Sequence, residues 1–430
     1  MKNDLYKKIF SVCPVCLKKV PAVLERSNDG QGIFLNKSCS EHGDFSVPVW
    51  KDYFDFDEWT AGEEVLNEDE ELHCCGNCHV CDYHLQGCCC VILEVTKNCN
   101  LRCPYCFAYG GENVDTPSID KLKGDIDIIA KKGENPLLQL SGGEPTLRDD
   151  LPQLVLYAKK KGINYVQINS NGIRLAEDEA FVKNLSEAGL DIVFLQFDGT
   201  DDEIFKKLRG RELLSIKEKA IENCKKYGIS VTLVPTIVKG INDGALGDII
   251  DFAVRHFPAV KAVHFQPVTY LGRYPVSGKD RITLDELMYM LCNQAGIDGI
   301  SLLPSRCDHA LCEFHGTFIV GKGGKLIPTS NRNFFAKKKR SSASENREFV
   351  ASHWTGNAEK NIKTPEDLEG MDFDSFIYYM KNGSMTISAM AFQDAMNLNL
   401  ERLARCSLLV YENGKLIPFC GKYLTTADFV

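Results

Sequence analysis

The chain has 430 residues, 44% apolar and 25% charged, which is typical of a globular protein with two or three domains. Its net charge of -9 argues against a nucleic-acid binder, because such a protein presents basic groups to phosphates. No apolar run reaches the roughly 18 residues of a membrane-spanning helix, and no signal peptide is recognisable, so we expect a cytoplasmic protein. The 19 cysteines are exceptional, and for a chain of this kind they favour metal ligation over disulfides.

The first unit, residues 1–60, carries two short metal-binding turns. Cys13 and Cys16 form a CxxC pair, and Cys39 and His42 follow a strand-like stretch. Two such turns joined by a hairpin predict a zinc-ribbon or rubredoxin-like knuckle with one mononuclear zinc or iron ion. The spacing supports the three thiols as ligands, whereas His42 could be the fourth ligand or could cap a turn.

The second unit, residues 61–90, is rich in thiols and has little periodicity. Four of them have C-x3-C-x2-C-x7-C spacing, which suits a closed auxiliary iron–sulfur cluster. The four are Cys74, Cys78, Cys81 and Cys89. Three neighbouring thiols are left over and could exchange roles with these ligands: Cys75, Cys88 and Cys90.

From residue 91 to 273, apolar strands alternate with helices. Six strands are predicted, over residues 91–95, 136–140, 165–168, 192–197, 231–236 and 262–266. Helical periodicity separates them, as at 151–161, 177–188 and 214–227. Buried strands separated by helices predict an α/β fold with a parallel sheet, here a partial (β/α)6 barrel. Polar and glycine-rich residues follow the strands, where barrels of this type place their active site.

The loop after the first barrel strand reads TKNCNLRCPYCF and places Cys99, Cys103 and Cys106 in CxxxCxxC spacing. One loop can thereby supply three thiolates to a 4Fe–4S cluster whose fourth iron stays open to an outside ligand. Phe107 follows the third cysteine, and SGGEP occupies residues 141–145. With these motifs the chain resembles the radical S-adenosylmethionine (SAM) superfamily. The resemblance implies that Phe107 is one of the cofactor-binding residues.

This resemblance implies that the open iron binds SAM, whose reductive cleavage yields a deoxyadenosyl radical that takes hydrogen from an unactivated C–H bond. In the superfamily the GGE stretch offers backbone groups to the methionine amine, a role that falls here on Gly142, Gly143 and Glu144. An electron donor such as ferredoxin or flavodoxin is expected. Further SAM or substrate contacts would come from strand-end residues that could equally cap helices: Asn171, Gln196, Asp198, Thr236 and Gln266.

Residues 274–430 are predicted to cap the barrel mouth. They include a helix near residues 284–291, a strand at 317–320, a helical segment at 390–396 and a terminal hairpin around 412–415. The charged, serine-rich stretch 337–346 is typical of an exposed loop. If the hairpin folds back over the barrel, four thiols could bind a second auxiliary cluster, the alternative being two buried reduced pairs. These are Cys307, Cys312, Cys406 and Cys420.

The layout as a whole resembles the archaeal tetraether lipid synthase group of radical SAM proteins. The motifs that carry this resemblance include CPVC at 13–16, CSEHG at 39–43, LQFDG at 195–199, RGREL at 209–213 and GKLIPFC at 414–420. It implies three 4Fe–4S clusters, a structural N-terminal metal and carbon–carbon coupling of two isoprenoid lipid tails. A lipid substrate would require transient, peripheral membrane contact, for which Phe334, Phe335 and the basic run 337–340 are candidates.

Three other functions are open on the sequence. A radical SAM methyltransferase of a pterin-like small molecule would need a polar pocket for a planar ring, whereas lipid coupling needs a long apolar channel. A peptide maturase would usually carry a separate leader-binding module. An electron-transfer protein would have no use for a three-cysteine site.

Overall fold

The computed structural model describes residues 5–27, 30–63, 87–111, 116–132, 135–275, 281–305, 307–332, 341–354, 365 and 372–427. None of the helices in these ranges combines the length and apolar character that a bilayer span requires. Several predicted features lie outside the described residues: Cys74, Cys78 and Cys81 of the first auxiliary site, the spare Cys75, and Phe334, Phe335 and 337–340.

The N-terminal unit is an antiparallel sheet of four strands in sequential order, followed by a short helix. Its elements are β1 (Leu5–Val12), β2 (Lys19–Arg26), β3 (Ile33–Cys39), β4 (Gly43–Trp50) and α1 (Phe56–Thr60). Trp50, Phe56 and Trp59 are buried, with both other rings 5.8 Å from the Trp50 ring. Trp59 Nε1 donates to Ala310 O at 2.9 Å, so this unit packs against the C-terminal part of the chain.

The six predicted barrel strands are present and parallel. They are β5 (Cys90–Thr96), β6 (Leu137–Gly142), β7 (Val166–Ser170), β8 (Ile192–Gln196), β9 (Ser230–Val234) and β11 (Val260–Pro267). The fifth is shorter than expected, because Pro235 has no N–H to donate and separates β9 from the two-residue strand β10 (Thr236–Ile237).

The helices of the barrel pack outside these strands. They are α2 (Ile119–Lys132), α3 (Leu151–Lys160), α4 (Ile173–Glu177), α5 (Glu179–Glu187), α6 (Asp202–Arg209), α7 (Leu214–Lys226) and α8 (Leu246–Arg255). The helix predicted at 177–188 is α5, which begins one residue after Asp178 because the Asp178 carboxylate accepts from Phe181 N at 3.0 Å.

The C-terminal region continues the barrel sheet at both of its edges. Its strands are β12 (Leu303–Pro304), β13 (Glu313–Val320), β14 (Leu326–Pro328), β15 (Ser384–Met390), β16 (Leu408–Glu412) and β17 (Lys415–Pro418). β15 adds in parallel beside β11, and β16 adds in parallel beside β5, which gives eight parallel strands along the main path of the sheet within the described residues, with the short β10 paired beside β11. This pairing satisfies the edge strands of the partial barrel.

Four further helices belong to this region. They are α9 (Leu284–Ala295), α10 (Ala343–Trp354), α11 (Phe373–Asn382) and α12 (Leu400–Ala404), and the one-turn α13 (Phe419–Lys422) ends the terminal hairpin.

Two sequence predictions for this region are wrong. Residues 391–397 form loop and turn after β15 instead of a helix, and Asp394 there binds Arg281 at 2.7 Å in a buried ion pair. The serine-rich stretch 337–346 was predicted to be an exposed loop, but its last four residues are helical because α10 begins at Ala343. Ser342 and Glu345 cap that helix reciprocally, with Ser342 N donating to Glu345 Oε2 at 2.7 Å.

Candidate active site and metal centre

The N-terminal knuckle brings four candidate ligands to one point. The ligand atoms of Cys13, Cys16, Cys39 and His42 lie within 4.8 Å of one another. His42 Nδ1 is 3.6 Å from Cys13 Sγ and 3.5 Å from Cys39 Sγ. A tetrahedral ion with bonds of about 2.3 Å to sulfur and 2.05 Å to nitrogen has a sulfur–nitrogen edge of about 3.6 Å. The residues therefore fit zinc or iron, and the geometry favours His42 as a ligand over a turn cap.

The three-cysteine loop is held against β6 by glycines that leave no room for side chains. A Cβ on Gly143 would lie 2.1 Å from Asn98 O, and one on Gly142, whose φ is +123°, would lie 2.1 Å from Thr96 O. A Cβ on Gly110 would lie 3.1 Å from Cys99 Cβ. The glycine motif thus sets the position of the loop, in addition to any role in binding SAM.

The thiols of this loop are half-buried, which suits a cluster that must meet a ligand from outside. Burial raises the pKa of Cys99 to about 12, so the free thiol is protonated and binding of iron would displace its proton. Cys106 and Arg273 exchange backbone hydrogen bonds of 2.8 and 2.9 Å, and Arg273 Nε donates to Cys103 O at 2.9 Å. The donor set and its fixed backbone fit a 4Fe–4S cluster.

A cleft of about 470 Å³ opens beside the cluster loop, at the C-terminal ends of the strands. Four of the predicted cofactor-site residues line it: Cys106, Phe107, Thr236 and Gln266. The Phe107 ring packs edge-on against the rings of Phe419 and Tyr423, at 5.2 and 4.9 Å. The C-terminal helix α13 thereby closes one side of this cleft.

Glu144 does not offer its carboxylate to a ligand. It is buried and accepts from Thr146 Oγ1 at 2.7 Å, Ser170 Oγ at 2.8 Å and Asn171 N at 2.6 Å. Burial raises the pKa of this carboxyl. Its side chain therefore ties the end of β6 to the end of β7, which leaves backbone groups for the role that the resemblance implies.

Asp198 is likewise occupied. Its carboxylate is fully buried and accepts two bonds from Arg209, at 2.6 and 2.7 Å, and one from Thr236 N at 3.0 Å. Although burial opposes it, the Asp198 carboxylate raises the pKa of Arg209, and the nearby Cys103 thiol adds to this effect. Asp198 thus positions Arg209 beside the cluster loop.

Lys217 connects Asn171 and Gln196, two further strand-end residues that were predicted to contact SAM or substrate. Its Nζ donates to Asn171 O at 2.5 Å and to Gln196 Oε1 at 2.9 Å. Asn171 Nδ2 also donates to Asn100 Oδ1 at 2.7 Å, which links β7 to the cluster loop. Burial lowers the pKa of Lys217 to about 7. Asn171 and Gln196 therefore belong to a network behind the cleft.

A second cavity, of about 830 Å³, continues into the barrel lumen and shares Phe107, Gln266, Phe392 and Phe419 with the first. Side chains alternate along each strand, so every second one points inward. The strand residues that line the cavity include polar and aromatic ones, which are Gln139, Gln167, Asn169, Phe194, His264 and Gln266, and apolar ones, which are Ile92, Leu137, Met390 and Leu408. Helix α10 contributes Asn346, Val350 and Trp354.

Three of the C-terminal cysteines, Cys312, Cys406 and Cys420, lie in one neighbourhood. Burial raises the pKa of Cys406 well above its ordinary value, and the nearby Asp308, Cys420 and Cys312 raise it further. Arg402 Nε donates to Cys312 Sγ at 3.4 Å, and Gln393 N donates to Cys420 Sγ at 3.2 Å. Donors to sulfur of this kind tune the potential of iron–sulfur clusters.

Cys307 lies near Asp308, as Cys312 and Cys406 do, and it has Cys89 as a further neighbour. Burial raises its pKa, and the nearby Asp308 and Cys89 raise it further. Its Sγ lies 3.3 Å from Ser407 Oγ, and Ser407 N donates to Asp308 at 2.6 Å. Cys89 N donates to the carbonyl of the same Ser407 at 3.0 Å, so the structure associates Cys307 with Cys89, a residue predicted for the first auxiliary cluster.

Comparison with known proteins identifies the families to which the two main parts of the chain are similar. Residues 93–253 match the radical SAM superfamily, and residues 5–51 match the HMPTM N-terminal zinc ribbon domain. The chain is 32% identical to 7,8-dihydro-6-hydroxymethylpterin dimethyltransferase of Methanocaldococcus jannaschii over 475 aligned positions, covering 96% of this chain and 92% of that protein. It is 32% identical to Fe-coproporphyrin III synthase of Methanosarcina barkeri over 203 residues, 46% of this chain and 48% of that one.

Among solved structures, methylornithine synthase covers 69% of this chain with a TM-score of 0.39 and 15% identity, values too low to support an inference about function. The cluster loop, the glycine motif and the parallel barrel are those of a radical SAM enzyme. Within that superfamily, the chain belongs to the zinc-ribbon family that includes the Methanocaldococcus pterin dimethyltransferase, since the identity extends over nearly the whole of both chains.

Several site residues were missed by the sequence analysis. Arg209 and Lys217 act through contacts that helix patterns do not reveal. Gln139, Gln167 and His264 could have been found, because a polar residue at every second position of an otherwise apolar parallel strand points into the lumen.

Proposed function

We propose that this chain is a radical SAM methyltransferase that acts on a pterin-like small molecule. The observation that carries the proposal is the barrel lumen, where amide, imidazole and indole side chains lie among apolar ones in a cavity of about 830 Å³. A planar ring edged with donors and acceptors suits such a pocket. Nearly full-length similarity to a pterin dimethyltransferase supports the same substrate class.

The lumen argues against the coupling of lipid tails. An isoprenoid tail has no hydrogen-bonding groups, so in this cavity it would leave Gln167 Oε1 and Trp354 Nε1, which have no partner among the described residues, unsatisfied. Each polar group buried in that way costs about 1–3 kcal/mol. The relatives likewise support the methyltransferase alternative better than the lipid synthase resemblance.

The cluster, when bound, supplies one-electron reduction of SAM, and the chain holds SAM and the substrate in position. Because Phe107 and Gln266 border both cavities, SAM in the smaller one and a ring in the larger one would be neighbours. Phe392 and Phe419 cover the same boundary and exclude water from it. The mononuclear knuckle lies on the N-terminal sheet, where its role is structural.

The auxiliary clusters are part of this proposal. Cys312, Cys406 and Cys420 would hold one, and Cys89, with Cys307 beside it, would hold the other together with Cys74, Cys78 and Cys81. An electron donor of the ferredoxin or flavodoxin type would reduce them. Iron and sulfide analysis of the anaerobically reconstituted protein measures the number of clusters, and loss of iron in Cys420→Ala with the SAM cluster intact is expected.

The test of the function is turnover. The reconstituted enzyme is incubated anaerobically with SAM, a reductant and 7,8-dihydro-6-hydroxymethylpterin, and the pterin is analysed by mass spectrometry. We expect methylated pterin together with deoxyadenosine, and neither from Cys103→Ala, which lacks a cluster ligand. Formation of deoxyadenosine by the unaltered enzyme with the pterin recovered unchanged would contradict the proposal.

A further inference from the structure

Two glutamine side chains in the barrel lumen are hydrogen-bonded to each other but leave one buried oxygen unpaired among the described residues. Gln139 on β6 and Gln167 on β7 are register partners, and both line the larger cavity. Gln167 Nε2 donates to Gln139 Oε1. Gln167 is 2% exposed, yet its Oε1 has no hydrogen-bond partner among the described residues. An unpaired buried acceptor is costly, so this arrangement calls for a donor from a ligand.

A buried donor is also unpaired across the cavity. Trp354 on α10 is 8% exposed, and its Nε1 has no partner in the described part of the chain. Its ring lies 5.5 Å from the ring of Phe194 and 5.8 Å from that of His264. Together these rings provide an aromatic wall, and the indole N–H provides a polar point on it.

The two amides leave complementary groups for a ligand. Once Gln167 Nε2 and Gln139 Oε1 are paired with each other, Gln167 offers a carbonyl oxygen and Gln139 offers an NH2 group. A lactam edge, with a ring N–H beside a C=O, matches this acceptor and donor pair. An apolar chain matches neither group.

We propose that Gln139, Gln167 and Trp354 determine substrate specificity by binding the polar edge of a planar nitrogen heterocycle. Gln167 accepts from the lactam N–H, Gln139 donates to the lactam C=O, and Trp354 Nε1 donates to an acceptor elsewhere on the ring. This inference rests on the proposed function, since a pterin is a ring of this class, and it adds the residues that select the ring.

The test is binding, measured by fluorescence titration with the holoenzyme. The probes are 7,8-dihydro-6-hydroxymethylpterin and its N3-methyl analogue, which lacks the lactam N–H. The variants are Gln167→Leu, which removes the acceptor, and Trp354→Phe, which keeps a ring and removes the donor. Matched controls are Gln153→Leu, an exposed position on α3, and Trp59→Phe, whose Nε1 bonds Ala310 O instead.

Each variant has its own expected signature. The unaltered enzyme should bind the pterin about tenfold more tightly than the N3-methyl analogue, which corresponds to one lost hydrogen bond to a buried group. Gln167→Leu should weaken pterin binding about tenfold and abolish the preference between the two probes. Trp354→Phe should weaken both probes and keep the preference. The controls should bind as the unaltered enzyme does, and bound iron reports that every variant is folded.

The outcomes separate this inference from the proposed function. If the pterin is bound and methylated but Gln167→Leu and Trp354→Phe bind within twofold of the unaltered enzyme, the inference is overturned and the function stands. If binding shows the expected signatures but no methylation occurs, the inference stands and the function fails. If the unaltered enzyme binds neither probe, both are overturned.

Discussion

The buried ion pair between Asp198 and Arg209 gives the sharpest prediction about the scaffold of the site. Both side chains are almost fully buried, and the pair is bidentate at 2.6 and 2.7 Å. Asp198→Leu leaves the guanidinium without its counter-charge, which costs about 3–5 kcal/mol. It also leaves Thr236 N without the acceptor that it has at 3.0 Å.

The double variant Asp198→Leu with Arg209→Met separates these contributions. It removes the stranded charge, so what remains is the loss of the Asp198 acceptor for Thr236 N and Gln196 Nε2, at about 1–3 kcal/mol for each group, and of the Arg209 bond to Thr236 Oγ1. The double variant should therefore be more stable than Asp198→Leu alone. The assay is urea unfolding of the anaerobic protein, followed by circular dichroism, with bound iron measured in parallel.

Glu203→Gln is the control for this experiment, because it removes an exposed pair with Lys206 and should leave stability unchanged. If the double variant is as unstable as the single one, the charge on Arg209 is not what Asp198 compensates, and the reasoning fails.

Three further predictions concern the metal sites and the lumen. Gly143→Ala should abolish cluster binding and deoxyadenosine formation, because its Cβ would meet Asn98 O, whereas Gly124→Ala on α2, with open space around it, should keep both. His42→Ala should lower the zinc or iron content of the knuckle, measured by elemental analysis, and leave the barrel cluster in place; an unchanged metal content would remove His42 from the ligands. Burial lowers the pKa of His264 to about 4, below the ordinary value of about 6.5, so the folded protein should lose about 2 kcal/mol of stability between pH 7 and pH 5, where only the unfolded chain takes up the proton. His264→Gln should remove that part of the pH dependence of the melting temperature, and an unchanged pH profile would contradict a neutral buried imidazole.

The sequence predicted the parts of this molecule that depend on local spacing. CxxC and CxxxCxxC are local patterns, and runs of apolar β-branched residues mark parallel strands, so the knuckle, the cluster loop and the six barrel strands could all be recognised. The bend at Pro235 and the cap formed by Ser342 and Glu345 are local as well, and attention to proline and to the S-x-x-E pattern would have found both.

The remaining features depend on contacts between distant segments. The association of Cys307 with Cys89 is created only when β16 pairs with β5, and no spacing along the chain announces that pairing. Trp354 reaches the lumen because α10 packs across β9, β11 and β15. The proposed substrate class rests on the polar side chains inside the barrel, which come together only when the strands are in register.

The most direct test of the central claim is a competition between the two substrate classes in one vessel. The reconstituted enzyme is offered 7,8-dihydro-6-hydroxymethylpterin and an isoprenoid diether lipid in equal amounts, with SAM and a reductant, and both are quantified by mass spectrometry over time. The unpaired polar groups of the lumen predict that the pterin is methylated and the lipid is recovered unchanged. Lipid joined between its tails, with the pterin untouched, would contradict the account.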